Sequence, residues 1–249
     1  MHAGSAAETH SSWGCGLRCR TNIGLYSRFI VQEFGASQVY AFEPTAGNYP
    51  RLARNLQVGE CADRAEALQL AIGDEDGVVD CQADDMSALT GALDAVNHGQ
   101  ASRNRTQYHL PPMIEKVSVG RLDTVIRDRG LSLPDVIKLE GAEALALKEA
   151  HNLLQQQKPR LVIELHSGPV GAEVLEILWM YGYRCFGYVA SAAMPEYREI
   201  IASDVGKIRD EYSLKYMAAS IQEKDLLVPI RDPEWIAKPG AGNPRPRAS

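Results

Sequence analysis

The sequence predicts an α/β fold built on a doubly wound, mostly parallel sheet. From residue 22 onward, apolar segments of strand length alternate with amphipathic segments of helix length. The segments "PDVIKL" and "RLVIEL" are nearly continuous apolar runs, which are typical of parallel strands buried on both faces. Right-handed connections between such strands place helices on both sides of the sheet.

The first half of the chain supplies two helices and the strands around them. Residues 22–35 are predicted to form a helix that a glycine opens and Gly35 ends, and Pro44 stops the strand that follows. An amphipathic helix, a strand with an Asp/Gly turn, and a hairpin partner or sheet extension come next. The five segments are, in order, "NIGLYSRFIVQEFG", "SQVYAFEP", "GNYPRLARNLQV", "ALQLAIGDEDG" and "GVVDCQA".

The second half resumes the alternation after a polar segment from Asp84 to Pro112. We predict that this segment is a long, mobile loop that faces the substrate. A strand with a short helix follows, and then strand, helix, strand, helix and two further strands. These segments are "IEKVSVGRLDTVIRDRG", "PDVIKLE", "AEALALKEAHNLL", "PRLVIELH", "GAEVLEILWMYGY", "RCFGYVA" and "YMAASIQ".

The composition indicates a globular protein with one main domain. The chain has 249 residues, 45% of them hydrophobic, and a net charge of -6 with scattered basic residues, so neither nucleic acid nor a membrane surface is an expected partner. No apolar run reaches the roughly 18 residues of a membrane span. The five cysteines have no repeated spacing, which favours a reducing, cytoplasmic location and predicts no metal site. We expect an atypical segment at 1–20, the domain at 21–238 and a disordered tail at 239–249.

Several polar residues lie where predicted strands end, which is where open parallel sheets bind ligands. Glu43, Asp74, Glu140, Glu164 and His166 hold such positions. Glu43 follows a glycine turn by about 20 residues, a spacing suited to binding the ribose hydroxyls of NAD or S-adenosylmethionine. The alternative to a binding role is that Glu43 is a solvated acid and that His166 is a histidine of the core. Glu140 and Glu143 also suit the start of a helix, where the helix dipole favours acids.

The ordered motifs resemble the FkbM-type methyltransferases, which use S-adenosylmethionine and mostly methylate hydroxyl oxygens. The resemblance covers about residues 22 to 190 and rests on the whole set, because each motif alone is weak. Its motifs are "NIGLYS", "VYAFEPTAGNYPRLARNL", "AIGDEDG", "RLDTVI", "VIKLEGAEALAL" and "PRLVIELH".

The resemblance implies a Rossmann-like class I methyltransferase fold with a seven-stranded sheet. Asn22 and Gly24 match the end of the family's first cofactor loop, Glu43 matches its ribose-binding acid, and Asp74 lies in the segment that flanks the adenine. Glu143 keeps its family context and is expected to bind the substrate. His166, which also keeps its context, and Glu140 are both candidates for the general base, and the sequence does not choose between them.

The chain departs from the family pattern at two places. Arg18 and Arg20 replace the acid and the first glycine of the cofactor loop, so the first strand is degenerate, and we expect residues 1–20 to pack poorly and the cofactor to bind weakly. The segment "KLEGAE" is two residues shorter than the family's version, which puts the strand-end acid in doubt.

A shift of reading frame accounts for the first departure. Trp13 to Arg20 can be encoded so that reading one base later gives Gly-Asp-Val-Val-Phe-Asp-Val, a family-like first strand. We therefore hypothesise that the first 20 residues are an out-of-frame translation. A divergent but genuine amino terminus is the alternative, and the coding DNA across codons 10 to 22 decides between them.

The function predicted from the sequence is O-methylation of a small molecule or glycan by S-adenosylmethionine. An inactive remnant or scaffold of the same fold is the alternative, because a fold does not guarantee an activity. An NAD-dependent oxidoreductase is less favoured, because no G-x-G-x-x-G motif opens the first helix. The sequence does not indicate which oligomeric state the protein has.

Overall fold

The structure, a computed structural model, describes residues 14–19, 23–33, 35–82, 92–93, 109, 111, 113–189, 196–211 and 214–221. Asn22, Arg20, the predicted tail from 239 to 249 and most of the predicted loop from 84 to 112 lie outside these ranges.

Strands and helices alternate along most of the described chain, as the sequence predicts. The strands are β1 (Cys15–Cys19), β2 (Gln38–Phe42), β3 (Ala65–Leu68), β4 (Ala71–Ile72), β5 (Gly77–Gln82), β6 (Ala92–Leu93), β7 (Ile114–Gly120), β8 (Val136–Glu140), β9 (Arg160–Glu164), β10 (Arg184–Val189), β11 (Glu196–Glu199) and β12 (Tyr216–Ser220). The α-helices are α1 (Leu25–Glu33), α2 (Tyr49–Val58), α3 (Leu122–Arg129), α4 (Glu143–Lys148), α5 (Gly168–Met180) and α6 (Val205–Glu211). A π-helical segment, Leu153–Gln157, and a 3₁₀ turn, Ala202–Asp204, complete the set.

The larger sheet confirms the predicted fold class. Its strand order within the described residues is β3-β2-β1-β8-β9-β12-β10-β11, and the five strands from β3 to β9 are parallel. β12, β10 and β11 each run antiparallel to the preceding strand. The short edge strand β11 makes this an eight-stranded sheet, where seven strands were predicted.

Helices cover both faces of this sheet. Val39 and Ala41 of β2 belong to a core cluster with residues of α1 and α2 on one face. Tyr40 and Phe42, which alternate with them, belong to a larger cluster with α3, α4 and α5 on the other. Because neighbouring residues of a strand face opposite sides, the nearly continuous apolar character of β2 follows from its two-sided burial.

The first strand forms, which corrects the expectation of poor packing for the described part of residues 1–20; residues 1–13 and 20 lie outside the described residues. Cys15–Cys19 lies between β2 and β8 and pairs with both in parallel register, with Leu17 beside Tyr40 on one side and Ile137 on the other. Cys15 and Leu17 are buried in the larger cluster. Backbone pairing with two neighbours therefore holds this strand although its sequence lacks the usual apolar run.

A smaller sheet with the order β4-β7-β5-β6 lies apart from the larger one. β5 pairs antiparallel with β7 along its whole length and not with β4, so this segment extends a sheet and is not the hairpin partner of the strand before it. β4 pairs in parallel with the end of β7, so the predicted single strand over "ALQLAIG" is two short strands that join different sheets.

Candidate active site

Several residues of the predicted site lie at the carboxyl ends of three strands of the larger sheet, β2, β8 and β9. Glu43 follows β2, Glu140 ends β8, and Glu164 ends β9 with His166 two residues later. Glu140 and Glu164 are register partners in adjacent strands. β1 lies between β2 and β8, so the Glu43 side of the site and the Glu140 side are separated by one strand.

Glu43 is a buried carboxylate with an ordered environment. It is only 2% exposed, and its Oε1 accepts hydrogen bonds from the Thr45 amide at 3.1 Å and the Thr45 hydroxyl at 2.6 Å. Its own amide donates to the Leu68 carbonyl at 3.0 Å, which fixes it to the end of β3. A buried acid needs such partners, because an uncompensated charge in the interior is costly. Glu43 is thus a buried acid held by its neighbours, contrary to the alternative of a solvated acid.

Gly24 has a conformation that explains its place in the loop motif. Its φ of +83° lies in the left-handed region, and a Cβ added there would approach Leu52 Cδ1 to 2.6 Å. Both the backbone angle and the close approach of α2 require glycine. Asn22, its predicted companion, lies outside the described residues.

Asp74 is exposed, whereas its neighbour Asp76 has a clear structural role. Asp76 accepts from the Arg121 amide at 2.9 Å and from Arg121 Nε at 2.7 Å. These bonds, with that from the backbone amide the strongest, hold the pKa of Asp76 below its ordinary value. Asp76 therefore ties the turn before β5 to the start of α3, whereas Asp74 makes no comparable contact with those predicted site residues that the structure describes.

Glu143 and His166 form a hydrogen-bonded pair. Nδ1 of His166 lies 2.6 Å from Oε1 of Glu143, and the Gly141 amide donates to the same oxygen at 2.8 Å. Glu143 is 3% exposed, whereas the side chain of His166 is 36% exposed. The left-handed Gly141, with φ of +87°, turns the chain from β8 into α4 so that Glu143 points back to the strand ends. The arrangement orients an imidazole at the surface of the site by means of a buried acid.

A second polar cluster joins three adjacent strands. Lys138 contacts the carboxylate of Glu140 and lies 3.5 Å from Oε2 of Glu164, and the Tyr216 hydroxyl donates to Oε1 of Glu164 at 3.1 Å. Burial and the neighbouring charge of Glu164 raise the pKa of Tyr216, so it stays protonated and acts as a donor. The sequence analysis named the two glutamates but missed Lys138 and Tyr216.

The described part of the chain contains neither a metal-binding cluster nor a membrane-spanning helix. No group of three or more histidine, cysteine, aspartate or glutamate side chains is arranged to hold a metal ion there. None of the helices described is both long and apolar enough to cross a membrane.

The sequence matches the family model described as the methyltransferase FkbM domain over residues 19–185. No curated protein matches the chain. Solved structures with a similar fold include the FkbM methyltransferase of Methylobacillus flagellatus KT, at 14% identity and a TM-score of 0.45, covering 84% of this chain and 43% of that one. The chain thus spans less than half the length of that protein.

Two other solved structures have comparable similarity. One is a precorrin-6y methyltransferase of Geobacter metallireducens GS-15, at 8% identity and a TM-score of 0.43, covering 84% of this chain and 78% of the other. Another is a candidate tRNA methyltransferase of Streptococcus pneumoniae in complex with S-adenosyl-L-methionine, at 12% identity and a TM-score of 0.43, covering 80% of this chain and 73% of the other. Because the FkbM domain model matches more than half of its length, the chain belongs to the FkbM family of methyltransferases.

Proposed function

We propose that this chain transfers a methyl group from S-adenosylmethionine to a hydroxyl oxygen of a small molecule or glycan, with His166 as general base. The methyl donor follows from the family, and it supplies a methyl group on a positively charged sulfur. The described residues fit such a cofactor: Gly24 lets the backbone approach closely, and Glu43 presents a buried acid at the end of β2. Asn22 and Asp74 remain proposed cofactor contacts.

The observation that carries the proposal is the pair of Glu143 and His166. If the buried Glu143 is ionised, Nδ1 of His166 carries the proton and donates it to Oε1, which makes Nε2 the basic nitrogen of the ring. A base in this orientation accepts the proton of an acceptor hydroxyl as its oxygen attacks the methyl carbon and the carbon–sulfur bond breaks. Glu143 then positions the base, a role that replaces the direct substrate contact expected from the sequence.

Glu140 is the less favourable base. Its carboxylate already contacts Lys138, and an ammonium partner stabilises the charged form and lowers its tendency to take up a proton. We propose instead that Glu140 and Glu164, which share Lys138, shape the polar wall beside the base.

The test measures binding and turnover separately. Isothermal titration with S-adenosylmethionine and with NADH identifies the cofactor, and transfer of a labelled methyl group to a panel of hydroxylated acceptors measures activity. His166→Gln should lower turnover by about a hundredfold or more, abolish the loss of rate at acidic pH, and leave S-adenosylmethionine affinity within about twofold. His151→Gln is the matched control, because His151 is exposed and contacts Tyr181 away from the site.

Each alternative has its own outcome. Full turnover by His166→Gln would exclude it as the base, and binding of NADH instead of S-adenosylmethionine would contradict the proposed reaction. If the chain binds neither compound, the result supports the alternative that it is an inactive remnant of the fold. A cytoplasmic location and an acceptor other than nucleic acid belong to the proposal; the first is supported by the odd number of cysteines, five, which have no repeated spacing in the sequence.

A further inference from the structure

The turn after β2 directs its backbone amides at two carboxylates. Pro44 has no amide hydrogen, so the first donor after Glu43 is Thr45, whose amide binds Oε1 of Glu43 at 3.1 Å. The next donor, the Ala46 amide, lies 3.3 Å from Oε1 of Glu115 in the smaller sheet. The Thr45 carbonyl accepts from the Tyr49 amide at 3.0 Å, so the turn is also tied to the start of α2.

Thr45 adds a side-chain bond to the same oxygen. Its hydroxyl lies 2.6 Å from Oε1 of Glu43, a short distance that is typical of a hydroxyl donating to a carboxylate. Thr45 is 7% exposed and Glu43 is 2% exposed, so water competes little for this bond. Two donors from one residue on one oxygen fix the plane of the carboxylate and therefore the direction of Oε2.

We propose that Thr45 is a positioning residue for the cofactor: it holds Glu43 so that the carboxylate meets the ribose hydroxyls in one orientation. The inference rests on the proposed role of Glu43 in binding S-adenosylmethionine. A carboxylate that is already oriented loses less freedom when the ribose binds, and therefore binds it more tightly.

Two substitutions separate the hydroxyl from the rest of the side chain. Thr45→Val keeps the branched shape and the amide donor but removes the hydroxyl, whereas Thr45→Ser keeps the hydroxyl. We expect Thr45→Val to weaken binding of S-adenosylhomocysteine by about tenfold, the change that a loss of about 1.4 kcal/mol produces, and Thr45→Ser to bind within about twofold of the parent. Titration calorimetry measures both.

A cofactor analogue distinguishes positioning from a general structural effect. The 2′,3′-dideoxy analogue of S-adenosylhomocysteine lacks the hydroxyls that Glu43 would bind, so Thr45→Val and the parent should bind this analogue equally. Equal weakening for both ligands would show a merely structural role and overturn the inference, as would parent-like binding of S-adenosylhomocysteine by Thr45→Val. Thr45→Ala provides the same comparison if the valine variant does not fold.

Glu43→Gln separates this inference from the proposed function. If the parent binds S-adenosylhomocysteine and Glu43→Gln weakens it but Thr45→Val does not, only the role of Thr45 is wrong. If the parent does not bind S-adenosylhomocysteine, the proposed function and the inference both fail.

Discussion

Replacing Gly16 by valine should stabilise the protein, because Gly16 leaves a cleft between β1 and α1. The cleft is small and partly open to solvent, and it is bordered by Ile30, Ala36, Val39 and Val136. A Cβ added to Gly16 meets its nearest neighbours, the Gln38 carbonyl and Val39 Cγ2, at 3.9 Å. That is an ordinary contact distance for the Cβ, and we expect the cleft beyond it to take the two methyl groups of valine.

The expected gain is about 2 kcal/mol in the free energy of unfolding. Burying a valine side chain contributes about 1.5 to 3 kcal/mol, and the open side of the cleft favours the lower value. Removing a glycine from a strand interior adds about 0.5 kcal/mol, because the unfolded chain loses freedom. For a chain of this length, 2 kcal/mol corresponds to a rise of about 4 to 8 °C in melting temperature.

Thermal and urea unfolding followed by circular dichroism measure this change. Gly187→Val is the matched control in β10, because a Cβ there would lie 2.6 Å from Leu214 Cδ1 and 2.8 Å from the Tyr216 carbonyl, and this variant should be destabilised. An unchanged or lower stability of Gly16→Val would refute the reasoning. A gain would agree with the frame-shift hypothesis, which places valine at position 16, although only the coding DNA decides that hypothesis.

A further prediction concerns charge. The hydrogen bonds from Arg198, at 2.7 and 2.8 Å, hold the pKa of Asp204 below its ordinary value. Since the folded-state pKa is depressed, the stabilisation is full above the unfolded pKa of about 3.9 and disappears as the pH falls through the folded value. Asp204→Asn should therefore be less stable than the parent at pH 7, and the difference between their urea midpoints should shrink as the pH falls through the folded-state pKa; a difference that stays constant with pH would refute this assignment.

The parts of the fold that the sequence predicts are those with a strong apolar pattern. In β8 and α5 most residues are buried, and in β9 Leu161 and Ile163 are buried although Val162 between them is exposed. β11 and α6 were missed because they carry little of this signal: β11 is the polar segment "EYRE", held in part by the ion pair of Glu199 with Arg184, and α6 buries only Ile208. β1 shows the reverse case, in which pairing with both neighbours overrides an unfavourable sequence.

The sequence names several of the polar residues that lie at the strand ends but not their arrangement. Glu143 and His166 lie 23 positions apart, and only the pairing of β8 with β9 brings them to 2.6 Å. Tyr216 was missed for a different reason. β12 runs antiparallel to β9, so its first residue, not its last, is the register partner of Glu164. Because the site residues were predicted among those that end or follow strands, Tyr216, which begins its strand, was not among them.

Under the proposed function, the strand order gives β1 a role in activity that its own residues do not reveal. Glu43 follows β2, Glu140 ends β8 and His166 follows β9, and β1 lies between β2 and β8 and pairs with both. The spacing between Glu43, the proposed cofactor contact, and His166, the proposed base, therefore depends on β1. Because Gly16 leaves the packing of this strand incomplete on the α1 side, we expect Gly16→Val to raise the turnover number more than it changes the affinity for S-adenosylmethionine. Calorimetry and methyl-transfer assays on the same two proteins measure both quantities. A higher melting temperature with no gain in turnover would show that β1 supports the fold without adjusting the spacing of the site.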